Sequence, residues 1–228
     1  MKVLGVMLAG LAVGGLVTAC ASGRSWRVDE VQREGERCEE LEVEPEVDGS
    51  VLVEGVSFRV PEGFRPLSCQ DRAPWLVIGY RAEHEEETHT LVLQAGLQQL
   101  DPVRASQITA ANRLATLEAF AAGCIEADRN WERCGELEAV SSDLSIAGLD
   151  CVGWDEALLD IGVPDAPEGE AWPTRSRTLA CFDPGAPPSA LIMLTWSERR
   201  PPDVEGMTES EVAAQSEAFL TSIEFESD

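Results

Sequence analysis

Seven cysteines in a chain of 228 residues narrow the possible folds more than any other feature. They are Cys20, Cys38, Cys69, Cys124, Cys134, Cys151 and Cys181. The first closes the apolar stretch MKVLGVMLAGLAVGGLVTAC, in which Lys2 is the only charge. A charged start, an apolar centre and small residues at its end read as an export signal. Gly5, Gly10, Gly14 and Gly15 interrupt the centre, which is short for a membrane span of about 20 apolar residues. Cleavage is therefore expected rather than permanent insertion. An exported chain meets an oxidising compartment, where an even set of cysteines reads as a disulfide framework. Six cysteines follow Cys20, which sets Cys20 itself apart.

Val17-Thr18-Ala19-Cys20 resembles the bacterial lipobox: an aliphatic residue, two small residues and a cysteine. The resemblance implies cleavage after Ala19, diacylglycerol on the Cys20 thiol and acylation of the new amino terminus. Two or more acyl chains hold a protein stably on a membrane where one does not. Ala21, rather than Asp, follows Cys20. In a cell with two membranes this favours the outer one. The expected division is a cleaved signal over 1–19, a lipidated N-terminus and tether over 20–29, an acidic extension over 30–50, and a single α+β domain over 51–228. The domain is long enough for a real core, so disulfides reinforce the fold rather than replace the core.

The net charge is −25, with 42 acidic residues against 17 basic ones. Lys2 lies in the signal, so every mature cation is Arg and the mature chain is one unit more negative. Such a balance excludes nucleic acid as a partner, since phosphate backbones need positive patches. It permits divalent cations or basic protein partners.

Periodicity outlines the domain. Leu41 and Val43 alternate with acids as a half-buried strand would, and Val51–Val60 reads as a strand with Val56, Phe58 and Val60 on one face. Trp75–Ala82 and Thr90–Ala95 form a hairpin. Pairing His84 with His89 sets Ala82 against Leu91, Tyr80 against Leu93 and Ile78 against Ala95, which gathers the apolar residues on one face. Asp101 and Pro102 open a helix whose stripe runs through Val103, Ala110, Leu114, Leu117 and Ala121, with Gly123 as its stop. Cys124 and Cys134 then bracket a polar loop. Leu144–Ile146, Asp150–Ala157, Arg175–Phe182 and Ala190–Trp196 are expected strands, with Gly162–Pro173 a loop. Thr208-Glu209-Ser210-Glu211 is a capping box before a helix, and Ser222–Glu226 a closing strand.

The order of these pieces resembles a known family. Val60-Pro61-Glu62-Gly63-Phe64 is similar to the opening of PsbP-like domains, found also in the DcrB and LpqN group of bacterial lipoproteins. Ser145-Ile146-Ala147-Gly148-Leu149 and Ser222-Ile223-Glu224-Phe225 match later strands of the pattern, so the resemblance covers residues 51–226. It implies an antiparallel sheet with helices packed on it, an α/β/α sandwich. Phe64 stands where Trp is common, and the six cysteines, the Gly162–Pro173 loop and the acidic extension depart from the pattern. The family shares no catalytic residues, and its members are mostly accessory or binding proteins.

Catalytic signatures are absent from the sequence. His84 and His89 miss HExxH by one position. On a hairpin, however, the two rings could face each other and hold zinc or copper. There is no GxSxG, CxxC, glycine-rich phosphate loop or calcium-loop spacing. Six cysteines allow 15 connectivities. The scheme favoured is Cys124–Cys134 across the local loop, Cys151–Cys181 between strands and Cys38–Cys69 pinning the extension. The expectation is a lipid-anchored, non-enzymatic binding or accessory module for an envelope protein, with no cofactor. The alternative is a small-ligand or metal binder using a core cleft or the His84/His89 tip.

Overall fold

The structure is a computed structural model that describes residues 31–72, 74–82, 89–130, 132, 134–161, 163 and 166–226. In chain order the elements are β1 (Gln32–Glu34), α1 (Glu36–Glu40), β2 (Ser50–Val53), β3 (Val56–Arg59), β4 (Phe64–Arg72), β5 (Trp75–Ala82) and β6 (Thr90–Gln99). Then come α2 (Pro102–Gln107), α3 (Arg113–Arg129), β7 (Cys134–Ser142), β8 (Cys151–Asp160), β9 (Trp172–Phe182), β10 (Ala190–Arg199), α4 (Glu209–Leu220) and β11 (Glu224–Phe225). Eight strands form one sheet in the order β1-β4-β5-β6-β10-β9-β8-β7. Only the β1–β4 pair within it is parallel. A small second sheet has the order β11-β3-β2.

Two apolar layers enclose the large sheet, as the α+β expectation requires. On one face Leu117, Phe120, Ala121 and Cys124 of α3 pack against Trp154, Ala180, Leu191 and Met193. On the other, Val212, Phe219 and Leu220 of α4, together with Val51, Val56 and Phe58 of the small sheet, cover Ile78, Tyr80, Leu93, Leu194 and Trp196. β10 is buried along its whole length, as a central strand covered on both faces must be. The β5–β6 register is the one that period-two alternation predicts: Ile78 lies opposite Ala95 and Tyr80 opposite Leu93. The capping box is formed, with Thr208 and Glu211 exchanging side-chain-to-backbone hydrogen bonds.

Local competition and tertiary packing override the sequence pattern elsewhere. The helix after Asp101 is two helices. Asn112 Oδ1 accepts the Thr109 N–H at 2.7 Å and its Nδ2 donates to the Gln107 carbonyl at 2.9 Å, so short polar side chains replace the helical ladder. Val103 and Leu114, expected on the buried stripe, are 67% and 51% exposed. Gly123 does not stop α3, because the face carrying Leu117, Ala121, Cys124 and Asp128 remains buried past it. Packing of that face outweighs the cost of about 1 kcal/mol for a mid-helix glycine.

Val51–Val60 is a hairpin rather than one strand. Glu54 and Gly55 both adopt positive φ, 49° and 80°, which fits the twist of a two-residue turn. Leu41 and Val43 lie outside strands; Val43 is buried while its carbonyl accepts the Tyr80 hydroxyl at 3.0 Å. Leu144–Ile146 is not a strand, β9 begins at Trp172 inside the expected loop, and β4 and β7 are additional strands.

Disulfides join Cys38 to Cys69 and Cys151 to Cys181. The latter links directly opposed residues of β8 and β9. The expected Cys124–Cys134 bridge is not formed. Cys124 sits in the body of α3 on its buried face, while Cys134 opens β7 after the helix has ended. Burial, reinforced by Asp128 and Glu156, pushes the Cys124 thiol up to about 12, which keeps it protonated and unreactive.

Candidate binding groove

α4 covers β9 and β10, and the outer strands β7 and β8 extend past it. The consequence is a groove of about 430 Å³ on the face that carries α4. Its walls include Glu136 and Glu138 of β7, Leu159 of β8, Pro173 and Arg175 of β9, and Met207. The far wall is the segment that returns from β10 to α4. Pro201 and Pro202 end the strand there, since proline cannot extend a ladder. The Arg200 guanidinium donates to the Pro201 and Val204 carbonyls and so closes the turn. Gly206 lies against that side chain; a Cβ there would come 2.5 Å from Arg200 Nε.

One buried carboxylate organises this end of the fold. Glu198 is 2% exposed. Its Oε1 accepts the Met207 N–H at 2.9 Å and lies 2.7 Å from His89 Nε2; its Oε2 accepts Arg175 Nε at 2.5 Å. Burial by itself raises the Glu198 pKa. The Met207 N–H, His89 and Arg175 together outweigh that and hold it below the ordinary value. Arg175 also donates to Glu209 at 3.1 Å and to the Met207 carbonyl, and stands 5.9 Å over the Trp196 ring. Both groove arginines thus have partners within the fold. Glu136 and Glu138 are exposed on the wall, so the charge the groove offers to a ligand is negative.

The expected sites fall differently. His89 is held against Glu198, and His84 lies outside the described residues, as does Cys20. Among the described residues no group of three or more His, Cys, Asp or Glu side chains is placed to hold a metal. Between the small sheet and the large one the cavity is about 10 Å³, lined by Val53, Phe58, Ile78 and Ile192. That is room for about one water. No described helix is long and apolar enough to cross a membrane.

A second polar cluster lies under α3. Glu156 is 3% exposed, as is Asp128, and the Ser176 hydroxyl donates to Glu156 Oε2 at 3.3 Å. Glu156 Oε1 and the Trp154 indole N–H have no hydrogen-bond partner among the described residues. Burial first, and the Asp128 charge second, push the Glu156 carboxyl up to about 7, with the Ser176 hydrogen bond opposing.

Neither Glu198 nor Glu156 stands out in the sequence. The available signal is parity: Glu198 follows Trp196 by two positions and Glu156 follows Trp154 by two, which places each acid on a buried face of its strand. No family model and no curated protein matches the sequence. Among solved structures the chain is similar to LpqN of Mycobacterium tuberculosis, described as involved in cell envelope biogenesis. The two share 14% identity over 73% of this chain and 79% of that one, with a TM-score of 0.29.

Proposed function

We propose that this protein is an exported, membrane-anchored binding module for a protein of the cell envelope, and that the groove beside β7 is its working surface. The groove itself carries the reading: an open concavity of about 430 Å³ whose exposed charged walls are acidic, on a disulfide-braced sheet. Ligand sites are usually such concave, largely pre-formed places on a rigid scaffold. The lipobox-like Val17–Cys20 supports lipid anchorage on Cys20, with the outer membrane favoured in a two-membrane cell.

The test uses the full chain expressed in a bacterial host, with a photo-crosslinking amino acid either at Ala157 on the groove or at Leu52. Leu52 is an exposed position on the small sheet. The expected result is one envelope protein captured from Ala157 and not from Leu52, with capture reduced when Cys20→Ala releases the protein into the soluble fraction. Equal capture from both positions overturns the groove as the working surface. Retention of the Cys20→Ala protein on membranes overturns the anchor.

A further inference from the structure

The large sheet has two edges of unequal character. At one end β1 is three residues long and is followed by α1, where Arg37 holds Asp71 of β4 through Nε at 2.8 Å. At the other end β7 is nine residues long, and no described strand lies beyond it. An edge strand carries an outward row of backbone N–H and C=O groups able to pair with another chain. Five of the nine β7 residues are exposed, and Val140 is 63% exposed. The bulge between Cys134 and Leu137 disturbs the ladder only at the start of the strand; from Leu137 to Ser142 pairing with β8 is continuous.

From these observations we infer that β7 is a docking edge, to which an extended, basic segment of a partner protein adds as a ninth strand. This rests on the groove reading above and specifies the partner's chemistry. Glu136 and Glu138 line the groove directly beside the edge. A strand added to β7 sets its alternate side chains opposite those acids, at the separation where opposite charges attract and like charges repel. Two residues beyond Glu138, Val140 lies on the same face, so the matching segment has Lys or Arg at alternate positions followed by an apolar residue. A second copy of this chain is the wrong occupant. Antiparallel pairing of β7 with itself brings Glu136 and Glu138 of both copies together, and a net charge of −25 on each adds repulsion.

Binding is measured with the full chain in detergent and a fluorescent nine-residue Lys/Val peptide, in which Lys occupies two alternate positions and Val the next position of the same face. Three comparisons define the outcome: a Glu/Val peptide, the Lys/Val peptide N-methylated on the backbone along one edge, and protein variants. The Lys/Val peptide is expected to bind and to slow amide exchange across Leu137–Ser142, while the N-methylated and Glu/Val peptides fail. E136Q/E138Q is expected to weaken binding about tenfold, because close charge pairs across an interface contribute on that scale. E39Q/E40Q, which removes two exposed acids from α1, changes it less than twofold. Equal binding of the N-methylated peptide, equal loss in E39Q/E40Q, or unchanged exchange in β7 overturns strand addition. Position-specific crosslinking from Ala157 without peptide binding leaves the groove reading standing and removes this proposal alone. Equal crosslinking from Ala157 and Leu52 removes the groove reading itself.

Discussion

Removing the two disulfides tests whether the cysteine framework or the apolar core carries most of the stability. Cys38–Cys69 and Cys151–Cys181 span 31 and 30 residues. Loop-closure entropy for loops of that size gives about 3.7 kcal/mol of stabilisation from each at 25 °C. The loops do not overlap in sequence, so their effects on the unfolded chain add, to about 7 kcal/mol. A domain of this kind has about 5–15 kcal/mol in total. Either disulfide is therefore expendable, and loss of both takes the protein close to its unfolding threshold. Cys38, Cys69 and Cys181 are wholly buried, so C38A/C69A and C151A/C181A also lose about 1 kcal/mol of packing. Reduced wild-type protein keeps the sulfur atoms and isolates the entropic part.

The assay is urea unfolding followed by tryptophan fluorescence. Each double alanine variant is expected to lose about 4–5 kcal/mol, with a larger m because its unfolded state is less compact. A loss below about 1 kcal/mol with unchanged m refutes the entropic reasoning. It would mean that the core alone holds both crossing points.

Three further outcomes follow from the structure. The folded-state pKa of Glu156, about 7, exceeds the unfolded value near 4.5; the native protein thus binds the extra proton between those values, and stability falls as pH rises from about 4.5 to about 7. Glu156→Gln is expected to flatten that slope and to be more stable than wild type by about 3 kcal/mol above pH 7, measured by urea midpoints across pH. Glu198→Ala strips Arg175 and His89 of their shared acceptor and is expected to cost about 3–5 kcal/mol, read as a lowered urea midpoint. Thr208→Ala removes the reciprocal cap of α4 and is expected to cost about 1 kcal/mol, read by thermal unfolding.

Residues with strictly local or period-two constraints were legible without a structure. A one-residue slip of β5 on β6 would set Ile78 and Tyr80 on the face opposite Leu91 and Leu93, so the alternation restricts pairing to the register that the structure shows or an even shift of it. Thr208 and Glu211 satisfy each other's backbone N–H groups within one helical turn, and Asp101 caps α2 through the Val103 and Arg104 N–H groups. These devices involve residues close in sequence, or two segments joined by a short tip. The mostly antiparallel sheet between helical layers was expected from the order of the elements and the resemblance that order carries.

Other features depend on what lies across the fold. Gly123 and Cys124 signal the end of a helix locally, yet α3 runs on to Arg129 because its inner face meets β7, β8 and β9. That continuation carries Cys124 into the core and leaves the local loop without its expected bridge. Nothing near Glu198 in sequence reveals that Arg175 and His89 will reach it from β9 and the start of β6. The same holds for β7, whose acids and serines show no strand signal locally and become an edge strand because β8 pairs with them. By itself the sequence determined the net charge, the cysteine count and which residues of the β5–β6 hairpin share its apolar face, since charge, composition and alternation are properties of the chain. Only the tertiary structure decided which thiols pair, which carboxylates are buried and where the groove opens. Those depend on which distant segments share a surface, and that is set by burying the most apolar area at once.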